Sequence, residues 1–193
     1  KLSREESELV RILQSSFRHS GRLRQHIKFI YDHGGMYRKI NGNLLYHGCI
    51  PLNDDGSFRE ITLPFADCAG KTFHGKALLD RIEQEVRSAY FSPNGTNEQK
   101  EAADFMWYLW CGADSPLYGK DKMAFFERTF LGKEAAELCT EHYEPYYSHT
   151  NDASVCEMIL EEFGLDKRRG HIVNGHVPVL RCDGESPIKA GGK

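Results

Sequence analysis

Apolar positions at the start of the chain recur at helical spacing. Leu9 is followed by Ile12 and Leu13 three and four residues on and by Phe17 four after that, and the pattern resumes after Gly21 with Ile27, Ile30 and Tyr31 until Gly34-Gly35 stops it. Leu2 is placed to staple the helix start, and Ser3 with Glu6 forms a capping box. Residues 3–33 therefore predict one long or once-broken helix, or two helices. From Met36 the period changes. In "GMYRKINGNLLYHGCIPL" two short β-leaning runs flank Asn41-Gly42, a dipeptide suited to a tight hairpin, and Pro51 limits how far the ladder extends. "NDDGSFREITL" adds a turn and a further short strand.

A helical block follows. "GKALLDRIEQEVRSAYF" places Ala77, Leu78, Ile82, Val86 and Tyr90 near one face, and Pro93-Asn94-Gly95 breaks it. Thr96 with Gln99 caps the next helix, whose Phe105, Met106, Leu109 and Trp110 make a heavy aromatic face. A loop and short helix in "SPLYGKDKMAFFERTFLG", a helix in "KEAAELCTEHYEPYY" broken by Pro145, and a helix in "DASVCEMILEEFG" closed by Gly164 complete the block. The chain returns to β at "HIVNGHVPVL". The fold class is α/β and rich in helix, with a short β unit on either side of the helices.

Composition narrows what such a chain does. It has 193 residues, 40% apolar and 27% charged, which suits a folded domain rather than a disordered one. A formal net charge of -3 argues against nucleic acid or an anionic membrane as partner, and no apolar run reaches transmembrane length. The six cysteines, Cys49, Cys68, Cys111, Cys139, Cys156 and Cys182, include no CxxC pair. They read as free thiols in a reducing, cytoplasmic setting. The chain opens on Lys1 and stops at "IKAGGK", which suggests a piece of a longer protein.

Two histidines stand out by placement. His47 in "LLYHGCIP" and His176 in "IVNGHVPV" each end an apolar strand-like run, each have a glycine neighbour (Gly48, Gly175), and each precede a proline within four residues. Strand ends hold side chains rigidly where ligands bind in many α/β folds, and glycine allows a sharp turn or a close approach. Neutral imidazole is a common ligand for divalent transition metals. A histidine in a Gly/Pro turn is also a common surface feature, so the pattern leaves both readings open. His171 is a possible neighbour. No GxGxxG, P-loop or GxSxG motif is present, and Asp54-Asp55 and Glu161-Glu162 lack acid/base or metal spacing.

The blocks "LLYHGCIPLNDDGSF", "LWCGADSPLYGKDKM", "ILEEFGLD", "HIVNGHVPV" and "GESPIKAGGK" together resemble the class III fructose-1,6-bisphosphatases of bacteria, manganese-dependent members of the calcineurin-like metallophosphoesterase superfamily. The resemblance runs from the first helix to the last residue and covers an interior part of a longer family chain. It implies a partial αββα sandwich in which residues 1–69 and 166–193 belong to the phosphoesterase core and residues 70–165 form a helical insertion. It further implies a dinuclear Mn2+ site whose later ligands are His47, in an H-G-x-x-P step, and His176, in a G-H-x-P step. The substrate implied is fructose 1,6-bisphosphate, hydrolysed at the 1-phosphate in gluconeogenesis by two cations about 3.5–4 Å apart. Lys120 and Lys122 in "SPLYGKDKM" and Lys189 near the end are candidate substrate cations.

The early superfamily motifs DxH, GDxxDRG and GNHD/E are absent, so the catalytic residues they would supply lie outside this sequence. Two other readings compete with the sugar bisphosphatase. One is a non-enzymatic helical scaffold, and the other is a phosphoprotein or dinucleoside-polyphosphate hydrolase on the same fold.

Overall fold

The computed structural model describes residues 1–132 and 137–192. Residues Lys1–Gly35 form one compact unit and Met36–Lys193 a second. The first unit is two helices, α1 (Arg4–His19) and α2 (Gly21–His33), split because Ser20 caps the second. The Ser20 hydroxyl accepts from the Leu23 amide at 3.2 Å, so the break falls one residue before Gly21. The Ser3–Glu6 capping box is complete. Neither helix buries a residue, and Leu9, Ile12, Leu13 and Phe17 lie exposed.

The second unit opens on a hairpin of β1 (Tyr37–Ile40) and β2 (Asn43–Tyr46). Asn41 and Gly42 both take positive φ, 52° and 80°, the conformation that a two-residue turn matched to strand twist requires. A second pair, β3 (Ile61–Thr62) and β4 (Thr72–Phe73), is also antiparallel. Then come α3 (Gly75–Phe91), α4 (Asn97–Cys111), α5 (Phe125–Leu131) and α6 (Ala153–Glu162), and finally β5 (Ile172–Val173). The last strand returns beside β2, in parallel, giving a three-stranded sheet in the order β1-β2-β5. The two short β segments on either side of the helical block are thus one sheet.

Two apolar clusters share α3 as a wall. Leu79 packs with Leu44, Ile50, Leu52, Ile159, Leu160 and Phe163, whereas Leu78 and Ile82 pack with Ile61, Leu63, Phe65, Phe105 and Leu109. The buried positions of α3 are therefore Gly75, Leu78, Leu79 and Ile82, and Ala77 and Tyr90 are exposed. A helix walled on two sides buries neighbouring residues, which a single-face reading does not anticipate. On α4, Ala102, Phe105 and Leu109 are buried at spacings of three and four, while Met106 and Trp110 flank them in solvent. The Thr96 hydroxyl caps this helix from the Gln99 amide at 3.2 Å. Of the helix expected in "KEAAELCTEHYEPYY", residues 133–136 lie outside the described residues. The rest is a turn at Glu137–Cys139 and a 3-10 turn, Pro145–Ser148.

Glu144 starts that 3-10 turn and is nearly fully buried. One carboxyl oxygen accepts the Leu52 amide at 2.8 Å and the other the Tyr146 amide at 2.6 Å, with the Arg59 guanidinium 3.8 Å away. Burial pushes the Glu144 carboxyl above the usual carboxylate range, and the two amides and Arg59 oppose it. Glu144→Gln turns one acceptor into an NH2 group facing an amide N–H. A loss of about 1–3 kcal/mol in denaturant unfolding is expected.

Candidate functional site

The parallel pairing of β2 and β5 dictates where the two histidines fall. Leu44 faces Ile172 and Leu45 faces Val173, so the same register, continued past the strand ends, sets His47 opposite Gly175. The main chain follows it: the His47 carbonyl accepts from the amides of Gly175 at 3.3 Å and His176 at 3.0 Å. Both histidines thus leave the same edge of the sheet, at the carboxyl ends of adjacent parallel strands, where open α/β sheets place their ligands.

Their rings meet. His176 Nδ1 and His47 Nε2 lie 3.0 Å apart, with ring centroids 4.9 Å apart and planes nearly perpendicular. The Nε2 of His176 lies 2.9 Å from the Tyr118 carbonyl, which can only accept, so that nitrogen carries a proton. The lone pair of neutral His176 is then on Nδ1, aimed at His47. His47 is exposed and His176 half-buried, leaving the pair open to further groups.

Metal fit follows from this spacing. Two imidazole nitrogens each about 2.1 Å from one cation, at right angles, stand about 3.0 Å apart. The observed 3.0 Å between Nδ1 and Nε2 matches that spacing, and without a cation it is also the length of a hydrogen bond from His47 Nε2 to His176 Nδ1. A divalent cation takes about four to six ligands, and among the described residues no group of three or more His, Cys, Asp or Glu gathers. The pair fits as part of a ligand set.

Around the pair, residues not anticipated from sequence do the positioning. The Asn174 amide donates to the Gly48 carbonyl at 3.0 Å and to the Tyr146 hydroxyl at 3.1 Å, tying the two histidine turns together. Tyr146 in turn meets the Tyr46 hydroxyl at 2.7 Å. The loop after α4 reaches in from the helical block: the Cys49 amide donates to the Pro116 carbonyl at 2.9 Å, beside the Tyr118 contact. Tyr46, Asn174 and Tyr118 all lie inside quoted motifs, but their roles rest on tertiary contacts, and a backbone carbonyl leaves no signature in sequence.

The remaining candidates sit elsewhere. Lys120 Nζ is 2.8 Å from Glu141 and lies over the Tyr143 ring, Lys122 donates to the Leu138 carbonyl at 3.0 Å, and Lys189 pairs with Glu185. Each of the three lysines is engaged by a neighbour. His171 turns its ring to the Gly192 carbonyl rather than to the histidine pair. Cys49 is buried, and desolvation pushes its thiol up, away from the thiolate a nucleophile needs.

Fold and site together define a mixed α/β protein with paired imidazoles at the carboxyl edge of a small sheet. The family model described as Firmicute fructose-1,6-bisphosphatase matches residues 1–193, and the chain belongs to that family. It is 49% identical over all 193 residues to the class 3 fructose-1,6-bisphosphatase of Clostridium botulinum strain Hall, and 48% identical to that of Alkaliphilus metalliredigens strain QYMF. In both, the match takes in the whole of this chain and 28% of the relative, so the chain spans little more than a quarter of their length. No solved structure matches it. No described helix is long and apolar enough to cross a membrane.

Proposed function

We propose that this chain is part of a cytoplasmic fructose-1,6-bisphosphate 1-phosphatase and supplies two of its metal ligands, His47 and His176. The observation that carries the reading is the 3.0 Å approach of His176 Nδ1 to His47 Nε2 at one sheet edge. The names of its relatives, class 3 fructose-1,6-bisphosphatases, support the substrate. In this reading residues 1–69 and 166–193 belong to an αββα phosphoesterase core and residues 70–165 are an insertion. The joining of β1, β2 and β5 in one sheet around the helical block is consistent with that division.

A manganese ion bound there would polarise the phosphoryl oxygen and lower the pKa of a water molecule. This chain's own contribution is to hold two imidazoles at fixed spacing, with the His176 tautomer set by the Tyr118 carbonyl. Lys120, Lys122 and Lys189 are the candidate substrate cations in this reading, each held by a neighbour in this structure.

The test is phosphate release by the full chain from fructose 1,6-bisphosphate, with added Mn2+ and after chelation. Release that requires Mn2+ and exceeds release from phosphopeptide or dinucleoside polyphosphate is the expected result. Equal rates with and without the metal would overturn the reading. Preference for another phosphate ester would keep the chemistry and move the substrate.

A further inference from the structure

We propose that the loop of residues 112–119 is a positioning device for His176, with Ser115 as its clamp. The proposal rests on the reading of His176 as a metal ligand. Ser115 is fully buried, and among the described residues it and Glu144 are the buried polar side chains apart from tyrosines and cysteines. Its hydroxyl donates to the Leu109 carbonyl at 2.6 Å in the last turn of α4 and accepts from the Leu117 amide at 3.3 Å. Its own carbonyl accepts from the amides of Tyr118 at 3.2 Å and Gly119 at 2.9 Å.

Two further ties hold the loop: the Tyr108 hydroxyl donates to the Ala113 carbonyl at 2.7 Å, and Asp114 pairs with Arg59. Asp114 takes φ 60°, a conformation Asp and Asn adopt more readily than most residues. What the clamped loop presents to the histidines is backbone only, the Pro116 carbonyl to the Cys49 amide and the Tyr118 carbonyl to His176 Nε2.

A rigid carbonyl on one ring nitrogen fixes both the tautomer and the orientation of the ring, and it leaves the lone pair on the other nitrogen, which here faces His47 Nε2. Because the group is a carbonyl, the side chain at 118 is not needed for it. The loop geometry is, and that geometry is held from inside by Ser115 and at its start by the Asp114–Arg59 pair. The Tyr118 hydroxyl makes a separate bond, to the Lys122 carbonyl at 2.9 Å.

The experiment compares Ser115→Ala, Tyr118→Phe and His176→Ala in the full chain. Mn2+ affinity is read from the free-ion electron paramagnetic resonance signal, and the His176 tautomer from ring nitrogen shifts in histidine-labelled protein. Ser115→Ala is expected to weaken Mn2+ binding about 10–100-fold and to leave His176 in mixed tautomers. Tyr118→Phe should keep the parent's affinity and single tautomer.

A merely structural Ser115 would lower the melting temperature and leave tautomer and affinity alone, and that result overturns the proposal. If Ser115→Ala yields no folded protein, Asp114→Ala against Asp114→Asn decides. Weakened binding in the first and restored binding in the second support the clamp, and parental affinity in both overturns it. Unchanged Mn2+ binding in His176→Ala would instead remove the metal-ligand reading itself.

Discussion

His176→Ala is expected to lower Mn2+-dependent hydrolysis of fructose 1,6-bisphosphate by the full chain about 10³-fold or more. A cation at a transferring phosphoryl group supplies several kcal/mol of transition-state stabilisation, and about 4 kcal/mol corresponds to that factor. The effect should be chemical rather than structural. The turn is held by main-chain bonds from Gly175 and His176 to the His47 carbonyl, which survive the substitution, and the ring is only half-buried. Melting should move little while activity collapses. His47→Ala should cost a similar factor, and the double variant little more than either alone, because residues acting as a unit on one cation are not additive. Steady-state rates across a Mn2+ titration, with thermal melts alongside, make the check. Activity within a few-fold of the parent at all Mn2+ concentrations would refute the assignment.

The local signals in the sequence translate into structure wherever the deciding contacts are local. The Ser3–Glu6 box, the Thr96 cap and the Asn41-Gly42 turn each involve atoms within four residues, and each forms as the pattern predicts. His47 and His176 were legible as candidates for the same reason, each ending a strand-like run. Their meeting was not legible, because it depends on β5 choosing β2 as its parallel neighbour across the whole helical block. Likewise the two-sided burial of α3 depends on which elements flank it, so Leu79 hid behind a single-face pattern that favoured Ala77. The Tyr118 carbonyl is the extreme case. The acceptor is a main-chain carbonyl, so the identity of residue 118 carries no mark of that contact.

The two glycines beside the histidines look equivalent in sequence, and substitution should separate them sharply. A Cβ at Gly48 would lie 2.0 Å from the Pro116 carbonyl oxygen, 3.1 Å from its carbon and 3.3 Å from Leu117 Cα. All three are backbone atoms, so no rotamer change relieves the clash. Either the loop of residues 112–119 withdraws or the His47 turn does, and the Cys49–Pro116 hydrogen bond of 2.9 Å breaks in both cases. Overpacking costs about 1–3 kcal/mol and an unsatisfied buried amide a further 1–3, giving about 2–5 kcal/mol for Gly48→Ala. At about 2–4 °C per kcal/mol for a chain of this size, the expected fall in melting temperature is roughly 5–15 °C. Gly175 has nothing within 4 Å of its Cβ position, and its φ is not positive. Gly175→Ala should therefore stay within about 0.5 kcal/mol of the parent. Paired melts of the two variants decide it: equal stabilities would mean that the loop does not press against the His47 turn. A large loss confined to Gly48→Ala places the close approach at the carbonyl of Pro116, where it also sets the distance from Tyr118 to His176.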